Sequence, residues 1–308
     1  MNTVTTTRLN PLGRCMYCDT TDGPLTDEHI LARGLNGDLL LPESSCRTCQ
    51  TMIGREIETP VLKNRWLSQC RLVLGFRSYK PNRQPTEIKM TFVAADGTRF
   101  GKKVPKSQAV AAITLPHLIA PRALTKPSAL IESDGIEIHG TYDTVVHNRE
   151  ATQQSGTQQQ ITALCQLYGA WGIDLSSRVS PTDLCRFLAK TAYGYHVATR
   201  GLVPRDESPA LAVLKGEQLD LSNWVGGEEV APASTTRGLH TLSIEDRTDG
   251  DGAPCTVVTI RLFNANGVHL RYVVVTHAPG WKDRLIPDPN PVRRSGGAVV
   301  LTDRWGQP

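Results

Sequence analysis

Two cysteine pairs, Cys15-Met-Tyr-Cys18 and Cys46-Arg-Thr-Cys49, bracket an acidic-histidine pair at Glu28-His29. A Cys-x-x-Cys turn presents two thiolates to one metal ion, and two such turns complete a tetrahedron of sulfur. A site filled in this way has no open position for water, so zinc held there stabilises the fold and leaves chemistry to other groups. Glu28 and His29 are the groups at hand. A neutral imidazole accepts a proton near pH ~7, and a carboxylate suits a hard cation. Alone, such a pair is an ordinary surface feature; between two cysteine turns it is a candidate site.

The elements that would position these residues are short. Gly34-Leu-Asn-Gly37 is turn chemistry, and Leu39-Leu40-Leu41 reads as a buried strand ending at Pro42. Beyond the second cysteine pair, Thr51 to Glu58 reads as a helix with Met52, Ile53 and Ile57 near one face and Pro60 just past its end.

From Leu12 to Pro60 this arrangement resembles the HNH branch of the His-Me finger endonucleases. Members of that branch carry a four-cysteine zinc site around an (Asp/Glu)-His-(Ile/Val) motif on a β-hairpin followed by a helix. The resemblance implies a structural Zn2+ on Cys15, Cys18, Cys46 and Cys49. It also implies a catalytic Mg2+ or Mn2+ ligated by Glu28, with His29 as general base. The position after the last cysteine, His or Asn in the family, is Gln50, whose amide oxygen is the implied further ligand. The family's middle Asn falls at Leu41, with Asn36 and Asp38 as substitutes. Glu56 and Glu58 lie further along the helix and read as solvated acids.

Residues 61–106 carry eleven Lys and Arg against only Glu87 and Asp96, with Trp66, Phe76 and Tyr79 interleaved. Concentrated positive charge beside such a module is what binding to a phosphate backbone requires. Arg47, Arg55, Lys63, Arg65, Arg71, Arg77 and Lys80 are the candidate contacts with DNA, and Arg14 and Arg33 are weaker ones. The alternative is an ordinary solvated basic face. Within this stretch a helix is predicted from Pro60 to about Leu74, then strands at Glu87–Ala94 and Thr98–Val104 turning at Asp96-Gly97.

Further on, 107–150 is mixed and Pro-rich, with strand-like alternation at Gly135–His139. The polar run at 153–160 reads as a linker or helix start. Ser180-Pro181 opens a helix carrying Leu184, Phe187, Leu188, Thr191, Ala192 and Tyr195, with Tyr193 and Tyr195 as core residues. Strands are predicted at Leu239–Glu245, Cys255–Phe263 and Val268–Thr276. The seven histidines other than His29 show no ligand spacing.

The whole chain of 308 residues has a formal charge of +4 and eight cysteines, too few for a disulfide scaffold. Cys70, Cys165, Cys185 and Cys255 read as buried thiols. No run approaches the ~18 apolar residues of a membrane span, and a soluble, cytoplasmic protein is expected. The fold class expected is α+β: an HNH-like ββα-metal module over 1–60, a basic strand-rich segment over 61–150, and a helical then β-rich domain over 151–308. The function expected is metal-dependent endonuclease, with a bacterial defence effector as one setting and a homodimer or partner subunit as an assembly. The alternative is a zinc-ribbon nucleic-acid-binding protein without catalysis.

Overall fold

The computed structural model describes residues 6–63, 65–76, 85–125, 130–132, 138–147, 157–175, 177–217, 220–230, 239–264, 268–287, 299–301 and 304–305. The architecture is mixed α+β. The N-terminal part contains β1 (Thr7–Arg8), β2 (Leu25–His29), β3 (Leu39–Cys46) and α1 (Arg47–Met52). A π-helical segment (Ile53–Glu58) and α2 (Thr59–Leu62) continue α1. Strands β2 and β3 pair antiparallel, and β1 joins the free edge of β3 in parallel.

Pro42 does not end β3, contrary to expectation. Between the pairs Thr26↔Ser45 and Glu28↔Leu41, β3 spends two residues more than β2. That bulge absorbs Pro42 and the positive φ of 48° at Glu43, so the missing amide is tolerated. The predicted helix from Pro60 to Leu74 is also divided: α2 stops at Leu62 and α3 (Arg65–Val73) starts afresh.

The basic hairpin is formed by β4 (Glu87–Val93) and β5 (Arg99–Pro105), closed through Gly97 at φ 84°. The stretch read as mixed holds β6 (Val110–Leu118), whose nine residues are almost all buried, followed by α4 (Arg122–Thr125) and β7 (Leu130–Glu132). The longer β8 (Ile138–His147) pairs with β6. Next come α5 (Thr157–Tyr168), β9 (Gly172–Asp174) and β10 (Ser177–Val179). Because β9 pairs with β4, the segments on either side of residue 150 share one sheet.

The central helix is α6 (Pro181–Arg200). Ser180 accepts from the Asp183 amide at 3.3 Å, Pro181 occupies the first turn, and Gly201 with φ 92° follows its end. After it come α7 (Pro209–Lys215), β11 (Val225–Glu229), β12 (Thr241–Thr248), β13 (Pro254–Arg261) and β14 (Leu270–His277). These four strands form one antiparallel sheet in the order β11-β14-β13-β12. Short strands β15 (Leu285–Pro287), β16 (Val299–Leu301) and β17 (Arg304–Trp305) pair with β7, β10 and β9.

A single hydrophobic core includes Ile30, Leu35 and Ile57 of the N-terminal part, Leu188 and Ala192 of α6, and Val258 and Val274 of the sheet. The N-terminal module is thus built onto α6. No helix among the described residues is long and apolar enough to cross a membrane.

Candidate active site and metal centre

The four cysteines of the two turns converge, with their sulfurs all within 4.8 Å of one another. Cys18 and Cys46, from different turns, are 3.7 Å apart. Zinc–thiolate bonds of about 2.3 Å in a tetrahedron require sulfurs roughly 3.8 Å apart, so these residues fit a zinc ion. Local backbone explains the fit. The first turn closes through the Asp19 amide on the Cys15 carbonyl at 2.7 Å, with Asp19 at φ 65°. The second sits at the start of α1, where Cys46 is the N-cap and its sulfur accepts from the Cys49 amide at 3.5 Å. Of the other cysteines, Cys70, Cys185 and Cys255 are buried and Cys165 is half-buried.

Glu28 and His29 occupy consecutive positions of β2 and therefore face opposite ways. Glu28 lies opposite Leu41 and is 5% exposed. Its Oε1 stands 2.7 Å from Nζ of Lys190 on α6, whose side chain is wholly buried. The same ammonium reaches Glu58 Oε1 at 3.0 Å and the Ile30 carbonyl at 3.3 Å, and it donates to the His29 carbonyl. Burial works against the charge on Lys190, but the two carboxylates outweigh it and raise its pKa above the ordinary lysine range. Burial pushes the Glu28 carboxyl up, and Lys190 opposes that shift. Glu58, read from sequence as a solvated acid, is a member of this cluster, with its side chain 22% exposed.

His29 is half-buried beside Leu40. Burial first, then the charges of Lys190 and Arg33, hold its pKa below the ordinary histidine value, so the ring is neutral near pH ~7. Its Nδ1 is buried and has no protein partner among the described residues. Such an atom is what a water or substrate oxygen would satisfy. Arg33, near enough to depress His29, is exposed.

The ligand set implied for a catalytic divalent ion does not come together. Glu28 is committed to Lys190, and the exposed Gln50 donates its side-chain amide to the Asp27 carbonyl at 3.4 Å. Asp38 is exposed, and Asn36 serves the turn before β3 at φ 60°. Among the described residues, the four cysteines are the only group of three or more His, Cys, Asp or Glu with ligand atoms close enough to share an ion.

The proposed nucleic-acid contacts divide. Arg47 and Lys63 are exposed, and Arg55 is exposed but paired with Glu56 at 2.6 Å. Arg71 turns inward and donates to the Leu62 carbonyl at 3.1 Å, where burial lowers its pKa; it serves the packing of α2 on α3. Arg65 lies on α3, with its side chain outside the described residues, as are Arg77 and Lys80. Lys89, Lys102 and Lys103 project from the β4–β5 hairpin into solvent.

Tyr193, read from sequence as a core residue, is buried and joins the module to the rest, whereas Arg205 and Gly194 carry no signal of that role in the sequence. Tyr193 donates to the Met16 carbonyl at 2.9 Å, and Arg205 to the Tyr17 carbonyl at 3.3 Å. A Cβ on Gly194 would stand 3.4 Å from Cδ1 of Ile30, so the helix backbone lies directly against β2's end. In the sequence, Asp183, Arg186 and Lys190 fall at i, i+3 and i+7 of α6 and read as one solvated stripe, so no signal there marks Lys190 as buried. Comparison with family models, with curated proteins and with solved structures finds no match for this chain.

Proposed function

We propose that the chain is a zinc-stabilised nuclease of the ββα type, with His29 as general base. The observation that carries this reading is the neutral imidazole of His29, with a ring nitrogen unpartnered among the described residues, on a hairpin that a four-cysteine cluster joins to a helix. An imidazole kept neutral in this way can take a proton from an attacking water. Arg33, exposed beside it, supplies positive charge for the phosphate, and Arg47 and Lys63 extend the cationic surface along the module. Zinc on the four thiolates fixes the hairpin against α1 and takes no part in the reaction. No step is assigned to a divalent ion on Glu28, because its carboxylate is engaged by Lys190.

That same engagement favours a second reading, a zinc-bound nucleic-acid-binding module that does not hydrolyse its ligand. Supercoiled plasmid incubated with wild-type and His29→Ala protein, in EDTA, magnesium or manganese, separates the two. Conversion to open-circle or linear DNA by the wild type alone supports the nuclease. A retarded but uncut plasmid supports the binding module, and equal cutting by both proteins removes His29 from the mechanism. Cutting that persists in EDTA would agree with the engaged Glu28, whereas a strict need for magnesium would place the ion on other ligands.

A further inference from the structure

Lys190 is a cation that solvent does not reach, and every partner found for it lies in the first 60 residues. Removing an ammonium from water costs several kcal/mol, and an apolar residue of similar volume often replaces a buried ion pair without loss. Hydrophobic packing alone would therefore be served as well by methionine. What methionine could not supply is the geometry. Two of the four acceptors are the carbonyls of His29 and Ile30, so the ammonium grips the peptide units on the C-terminal side of the His29 side chain. The other two, on Glu28 and Glu58, tie β2 to the π-helical segment. Tyr193 and Gly194, three and four residues on, lie on the same face of α6 and press on Met16 and Ile30.

We propose that Lys190 is a positioning residue for His29: a cation delivered by α6 that fixes the end of β2 and so sets the imidazole in its working place. Glu28, next to the base, accordingly serves as anchor for that cation. The inference rests on the nuclease reading for its activity readout only; the placement of His29 can be followed without it.

The test compares wild type with Lys190→Met/Glu28→Gln, which removes the ammonium together with one carboxylate charge. Lys190→Met alone serves as the harsher variant. Zinc content and thermal melting establish that the double variant is folded. In it, kcat for plasmid cleavage should fall by about a hundredfold, the cost of misplacing a reacting group by ~1 Å, while KM stays within about threefold. Independently of activity, 15N NMR of the histidine side chains, with His29 assigned by His29→Gln, should give one sharp set of ring signals in the wild type. In the double variant that set should broaden or split. Unchanged kcat and an unchanged sharp ring spectrum would overturn the proposal and leave Lys190 a packing residue. If the wild type does not cleave, the nuclease reading fails, and the ring signals alone still decide where Lys190 stands.

Discussion

The carboxylate of Glu28 and the ammonium of Lys190 meet at 2.7 Å, the lysine wholly buried and the glutamate nearly so. Removing one partner of a buried ion pair costs roughly 3–5 kcal/mol where the other is left uncompensated. Glu28→Ala leaves Lys190 with Glu58 at 3.0 Å and two carbonyls, so it should destabilise the chain by less than that, but measurably, in denaturant titration. Glu28→Asp, which keeps the charge but shortens the reach, should cost less. Equal stability of wild type and Glu28→Ala would mean that the pair is not formed in solution.

Zinc should be present at one ion per chain, measured by elemental analysis of protein purified without added metal. Cys46→Ser removes both a ligand and the sulfur that accepts from the Cys49 amide at 3.5 Å. Because metal binding and folding are coupled, this variant should lose zinc and lower the melting temperature. Cys165→Ser, remote from the cluster, should keep both.

Arg33 stands exposed next to His29. If it receives the phosphate, Arg33→Ala should weaken DNA binding about tenfold and reduce the salt dependence of log K by about one, the signature of one lost phosphate contact. Arg71→Ala should behave differently, because its guanidinium bonds Leu62 of the protein at 3.1 Å. It should lower stability and leave the salt slope unchanged.

His240 joins the module to the C-terminal sheet. Its Nε2 lies 2.9 Å from the Leu35 carbonyl, and its Nδ1 accepts from the Phe263 amide at 3.3 Å. A neutral ring protonated at Nε2 satisfies both contacts; a second proton at Nδ1 opposes the Phe263 donor. Burial pulls the pKa from 6.5 down to about 4. The unfolded chain therefore binds this proton first as pH falls, and stability drops between about 6.5 and 4, by roughly 3 kcal/mol from this residue. Melting temperature against pH should show a shallower acid slope in His240→Gln.

Gly37 follows the turn before β3, and a Cβ there would come within 1.9 Å of the Leu31 carbonyl. That oxygen belongs to backbone and cannot rotate away. Gly37→Ala should therefore cost at least the ~1–3 kcal/mol of an overpacked site and displace the hairpin, which amide chemical shifts of β2 and β3 would report.

Local chemistry made some of this legible in advance. The spacing of Cys15, Cys18, Cys46 and Cys49 announces the four-sulfur cluster, and Ser180-Pro181 announces α6, because both signals lie within a few residues. The β4–β5 hairpin followed from Asp96-Gly97 for the same reason. What stayed hidden depends on tertiary partners. Nothing near Glu28 in sequence indicates a lysine from α6, so a carboxylate beside a histidine reads as a ligand for a divalent ion when a buried ammonium holds it. Pro42 reads as a stop because the bulge that accommodates it is a property of two paired strands. Buried β6 was missed because Pro116 and scattered Thr and His residues hide its apolar run. The functional assignment rests on the site alone, since fold does not specify reaction.

The wide turn over Ile53–Glu58 has a consequence for how this chain tolerates change in length. Its i→i+5 bonding, seen where the Thr59 amide bonds the Gly54 carbonyl, inserts extra backbone into an otherwise α-helical ladder. Deleting one residue there would let the ladder close as an ordinary α-helix, and because six residues at roughly 80° turn about as far as five at roughly 100°, α2 would keep its face toward α6. The segment thus takes up one residue of extra length without turning α2, and a deletion within it should be tolerated better than one in α1 or α2.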